Sequence, residues 1–132
     1  MNKKYHNKYK KIINYHRHVL KFGSFGIKSS TAGRLTETRI NTLLRLINRN
    51  LKVLSRNSSS IKFWNLVLMN STLTALSPES RMGKGKGSIY TKSCYIRQGQ
   101  ILFEFSGASL NQMKLLYNFI KRKLPIKIAI VL

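Results

Sequence analysis

The chain has 132 residues, 42% of them hydrophobic, and sets 25 lysines and arginines against three acids, Glu37, Glu79 and Glu104. That length suits one domain with an ordinary core. The resulting formal charge of +22 makes surface cations repel one another, a cost that a bound polyanion relieves by exchanging like-charge contacts for phosphate contacts. The same numbers speak against other classes. Three acids far apart in sequence make no acid–base pair. A single cysteine, Cys94, allows no internal disulfide, and with His6, His16 and His18 it is too scattered for zinc. No apolar run approaches the roughly 20 residues of a membrane-spanning helix.

Residues 1–21 carry Lys3, Lys4, Lys8, Lys10, Lys11, Arg17 and Lys21, interleaved with Tyr5, Tyr9 and Tyr15. Their apolar residues are too sparse for a core face. The segment reads as a basic arm whose cations meet phosphates and whose tyrosines stack on bases or pack on sugars; a solvated tail is the alternative. Residues 22–132 then form the folded domain. Phe22–Lys28 reads as a short strand or extended loop, and 29–34 as a polar turn.

The strongest local signal follows. Thr36 is placed as an N-cap with Glu37 in the first turn, and Leu35 and Ile40 as a hydrophobic staple. Ile40, Leu43, Leu44, Ile47, Leu51 and Leu54 recur at helical spacing, so a helix is predicted over Glu37–Ser55. Arg45, Arg49, Lys52 and Arg56 fall on its opposite face. Like charges at this spacing destabilise a helix, which favours an RNA-backbone contact over a merely solvated face. A helix lying on an anionic membrane would need its apolar face for lipid, and a small domain needs that face for its core.

Ile61–Met69 reads as a buried strand with Trp64 as a core anchor rather than a base-stacking platform, and 70–80 as a polar connection. Ile89–Arg97 and Gln100–Phe105 are predicted to form a hairpin turning at Gln98-Gly99. Ser109 and Gln112 have capping-box spacing and open a second helix with Met113, Leu116, Tyr117, Ile120 and Leu124 on its core face. Pro125 ends that helix, and 126–132 closes as a strand. The expected fold is α+β, two helices packed on a mixed or antiparallel sheet, with a basic N-terminal extension and a protruding Gly/Lys loop.

That loop, 81–88, reads Arg-Met-Gly-Lys-Gly-Lys-Gly-Ser. It lacks the four-residue spacing of a Walker loop and the Gly-x-Gly-x-x-Gly of a dinucleotide fingerprint, and no carboxylate is nearby to hold magnesium. Glycines let the backbone approach phosphate closely, Lys84 and Lys86 are point charges, and Arg81 is a bidentate fork. No catalytic residue, metal or cofactor is expected.

Four blocks in order, Phe22-Gly23-Ser24-Phe25-Gly26-Ile27-Lys28, Ala32-Gly33-Arg34-Leu35-Thr36, Arg81 to Gly87 and Lys123-Leu124-Pro125-Ile126-Lys127, resemble the large-subunit ribosomal protein sixteen family, bacterial and organellar type. Leu102-Phe103-Glu104 and Ser106-Gly107 agree as well. The resemblance implies a structural component bound to large-subunit rRNA, with Lys28 and Arg34 joining the arm and helix cations as rRNA contacts. It also implies that Arg81, Met82, Gly83, Lys84, Gly85, Lys86 and Gly87 lie near the aminoacyl-site tRNA and that the protein acts in late subunit assembly. Expected partners are that rRNA, that tRNA and neighbouring large-subunit proteins, with no membrane insertion and no homo-oligomer. The resembling pattern breaks at Lys62-Phe63-Trp64-Asn65-Leu66-Val67, where leucine replaces the family's arginine, and near Ser93-Cys94, where a family tryptophan is missing. This drift, with heavy use of residues that have AT-rich codons, looks like a mitochondrially encoded member; an AT-rich bacterial or plastid ribosome is the alternative. A free-standing nucleic-acid binder is the rival class.

Overall fold

The computed structural model describes residues 3–5, 18–57, 60–83 and 85–132. The order is β1 (Phe25–Ser29), β2 (Gly33–Thr36), α1 (Glu37–Leu54), a 3₁₀ turn (Ser55–Asn57), β3 (Lys62–Asn65), β4 (Ser71–Ala75), β5 (Ser88–Ile96), β6 (Ile101–Ser106), α2 (Leu110–Lys121) and β7 (Ile128–Val131). Every strand pairing is antiparallel. The strands form two sheets, β3-β6-β1-β7 and β2-β5-β4. The α+β expectation therefore holds, with two sheets in place of one.

Both helices follow their sequence patterns, except that α2 stops at Lys121 and not at Pro125, so Leu124 is buried beyond the helix and not on its face. α1 buries Ile40, Leu43, Ile47 and Leu51 and packs against α2, β2 and β5. Thr36 sits at its N-cap without a side-chain capping bond; its hydroxyl lies 3.3 Å from that of Thr38. α2 opens on a complete capping box. The Ser109 hydroxyl accepts from the Gln112 N–H, and the Gln112 side chain accepts from the Ser109 N–H. Its Met113, Leu116 and Ile120 face the core, and the Tyr117 hydroxyl donates to the Ile128 carbonyl at 3.0 Å.

The strands correct three expectations. The turn at Gln98-Gly99 exists, but β5 and β6 do not pair. They belong to different sheets, so the turn carries the chain from one to the other. Its ends are fastened to β1, with Ser29 N–H on the Gln100 carbonyl at 2.9 Å and Gly99 N–H on the Ser29 carbonyl at 2.7 Å. β2 starts inside the polar stretch 29–34 and β4 lies within 70–80, because β5 offers hydrogen-bonding edges on both sides to short, threonine-bearing segments. The run Ile61–Met69 is a strand only over Lys62–Asn65, at the edge of the first sheet.

Trp64 is likewise not a core anchor. Alternation along β3 turns Phe63 inward, where its ring lies 5.8 Å from Phe103 and 5.2 Å from Phe105. Trp64 takes the other face, stacked on Phe22 at 6.0 Å with an interplanar angle of 24°. β6 is buried from Ile101 to Phe105. One of its faces meets the core, and Glu104, on the other, is covered by the chain at residues 21–23.

Candidate nucleic-acid interface

Glu104 has no exposed surface. Its carboxylate accepts the backbone N–H of Lys21 at 3.1 Å, of Phe22 at 2.6 Å and of Gly23 at 2.9 Å. Three successive N–H groups aimed at one anion make a cradle whose partial positive charges offset the cost of burying it. The base of the basic segment is thereby clamped to the middle of the first sheet. Only an acid interrupting the apolar run Leu102-Phe103-Glu104-Phe105 hinted at this in the sequence.

On α1, Arg45, Arg49, Lys52 and Arg56 are all exposed, and the opposite face is committed to the core. Lys21 and Arg34 are exposed and Lys28 half-buried on β1. Two further cations that the sequence reading passed over, Arg39 and Lys123, line a cavity of about 340 Å³ beside the start of α1 with Thr36, Thr38 and Thr42. Lys123 belongs to the exposed run Lys121-Arg122-Lys123, a cluster that would have flagged it.

In loop 81–88, Arg81, Met82, Gly83, Gly85 and Lys86 are exposed, Met82 at 95%. Gly83 and Gly85 adopt φ of 92° and 87° with open space around them, so the turn itself requires glycine there. Gly87 is required for a different reason: a Cβ would come within 2.2 Å of the Ala75 carbonyl oxygen on β4. The N-terminal residues return to this loop. The Thr72 hydroxyl on β4 donates to the Lys3 carbonyl, and Lys86 Nζ lies 3.9 Å over the Tyr5 ring, a cation–π contact. Lys3, Lys4, Tyr5 and Lys86 thus gather beside β4. Lys8, Lys10, Lys11, Arg17 and Lys84, expected as RNA contacts, lie outside the described residues, as do His6 and His16.

Burial pushes the Cys94 thiol up from 9.0 to about 11, against a smaller lowering by a backbone hydrogen bond with Leu35, which makes it a poor nucleophile at neutral pH. Among the described residues no cluster of three metal-binding side chains occurs, and no helix is long and apolar enough to cross a membrane. The chemistry on offer is phosphate and base recognition by exposed cations and rings.

Residues 1–131 match the model of the family described as Ribosomal protein L16p/L10e. The chain belongs to this family. It is a ribosomal protein of the large subunit, a structural component and not an enzyme. Among its relatives, "Large ribosomal subunit protein uL16m" of Chondrus crispus is 42% identical over 127 residues, 96% of this chain and 92% of the relative. The protein of that name from Prototheca wickerhamii is 35% identical over 86% of this chain and 79% of its own length. "Large ribosomal subunit protein uL16" of Buchnera aphidicola is 36% identical over 83% and 76% respectively. The family resemblance read from the four sequence blocks is thus borne out across nearly the whole chain.

Proposed function

We propose that this chain binds large-subunit rRNA in a mitochondrial ribosome, helps organise the aminoacyl-tRNA site through loop 81–88, and supports late subunit assembly. In this reading residues 1–21 are an rRNA-binding arm on one α+β domain, 22–132, which sits among neighbouring large-subunit proteins as a single copy. The observation that carries it is the row Arg45, Arg49, Lys52 and Arg56, exposed along a helix whose other face is locked in the core. In a chain of net charge +22 that row is a ready phosphate contact. The two uL16m relatives support the mitochondrial address.

The test is sedimentation of tagged chain from mitochondrial lysate, with and without Lys84→Ala plus Lys86→Ala. The expected result is wild-type chain tracking the large subunit, and a double variant that folds but yields immature subunits or lowered aminoacyl-site tRNA occupancy. A soluble or nucleoid-bound wild-type pool would overturn the reading in favour of a free-standing nucleic-acid binder. Normal subunits and occupancy in the variant would remove the loop's role.

A further inference from the structure

Between the two sheets, under residues 19–22, lies a crevice of about 320 Å³. Its lining mixes apolar side chains with polar ones such as Gln100 and Glu104, and several of the apolar ones are exposed. Val19 is 68% exposed, Phe22 58%, Leu68 78% and Tyr95 37%. Lys21 and Asn70 also line it, and both are exposed. We propose that this crevice receives one unstacked nucleobase of the large-subunit RNA, a site separate from the α1 cation row and the 81–88 loop. The proposal rests on the rRNA-binding reading above.

Size is the first argument. The volume lies at the lower end of the roughly 300–1,000 Å³ typical of small-molecule sites, suited to one heterocycle with part of its sugar. Stacking is the second. Phe22 already lies on Trp64 at 6.0 Å and 24°, and an inserted base would extend that stack on the exposed side of Phe22, the usual way proteins hold splayed RNA bases. Charge is the third. Arg34 is the direct cross-strand partner of Tyr95, so the two share a face of the second sheet; Lys21 lines the crevice itself, and the two cations would meet the phosphates on either side of the base. The one acid in the crevice, Glu104, is already cradled by the N–H groups of Lys21, Phe22 and Gly23, which mutes its repulsion of a phosphate backbone. A protein segment would have to bring acids to this rim, whereas RNA brings phosphates with every base.

Ultraviolet crosslinking of intact large subunits carrying the tagged full-length chain tests the site directly, read by mass spectrometry after nuclease digestion. A mononucleotide adduct on Phe22 or Tyr95 is expected. In parallel, full-length Phe22→Ala and Tyr95→Ala should each bind a transcribed large-subunit rRNA domain about tenfold more weakly, within the range for losing one base stack, with an unchanged salt slope because no phosphate contact is removed. Tyr95→Phe should restore affinity, and Tyr90→Ala, which alters a 65% exposed ring on the same strand that does not line the crevice, should change nothing. Wild-type affinity in both alanine variants, or a neighbouring protein crosslinked in the crevice instead of a nucleotide, would overturn the proposal. If wild-type chain tracks the subunit while these outcomes occur, only the crevice is lost; if wild-type chain fails to track it, the rRNA reading itself falls.

Discussion

Glu104 shows how much one side chain can decide in a chain with so few acids. Buried and accepting from three successive backbone N–H groups, it cannot be replaced by an apolar residue without stranding those donors. Glu104→Ala is expected to cost about 2–4 kcal/mol, since bonds to a charged acceptor are stronger than neutral ones and buried donors left unmade carry their desolvation cost. Thermal unfolding measures the loss, and hydrogen exchange should localise it to faster exchange at residues 21–23. Cys94 supports a second prediction. Below pH 9 its thiol is neutral in both folded and unfolded chains. As pH rises from 9.0 towards the folded value of about 11, the unfolded chain ionises first, so stability falls. Denaturant midpoints at pH 8 and pH 10.5 should diverge more for wild type than for Cys94→Ala, which removes this group and leaves the other titrations in place.

At the scale of elements, α1 separates two jobs by face. Ile47 is fully buried, and Ile47→Asp should abolish folding by forcing a charge into the core, seen as loss of soluble protein. Replacing Arg45, Arg49 and Lys52 by alanine should do the reverse. Folding stability is expected to hold or rise by a few tenths of a kcal/mol as like-charge repulsion at helical spacing is relieved. Affinity for large-subunit rRNA should fall, with the log–log salt slope shallower by about 2–3 units, one per lost phosphate contact. Helices were the legible part of this sequence. The 3.6-residue recurrence from Ile40 to Leu54 located α1 to within a residue, and the Ser109–Gln112 box marked the start of α2, whose end at Lys121 comes three residues before the Leu124 expected on it. β2 and β4 were missed because four or five mostly polar residues, even with threonines among them, are a weak strand signal. Their extended form comes from β5, which is far from β2 in sequence and follows β4 across the segment 76–87. The β5–β6 hairpin failed for the matching reason: a tight turn signals reversal of direction but does not say which edges then pair. Glu104 and the crevice were hidden too, since each exists only where residues 19–23 fold back over strands some eighty positions later.

For the molecule as a whole, the net charge of +22 makes salt act in opposite directions on two properties. Screening should stabilise the free chain, because repulsion among surface cations weakens as the Debye length shrinks. The same salt should weaken binding to rRNA by removing the gain from counterion release. Unfolding midpoints and rRNA affinities measured from 50 to 300 mM potassium chloride should therefore move apart, the first up and the second down. A folded chain insensitive to salt would mean that repulsion among its surface cations contributes little to stability.

The first sheet also sets a timetable. β1 lies between β6 and β7, with Phe25 opposite Phe105 and Gly26 opposite Val131. A ribosome translating this chain therefore delivers β1 long before either of its neighbours exists. α1 can coil soon after it emerges, but the sheet must wait for nearly everything that follows, and such long-range closure is slow. During that wait the apolar stripe of α1 and the strand residues of β1 are bare, the period in which a nascent chain is most prone to aggregate. The newborn protein is thus most vulnerable while it is still being made, and protection at that stage, by a chaperone or by early capture on RNA, bears on how many copies reach the subunit.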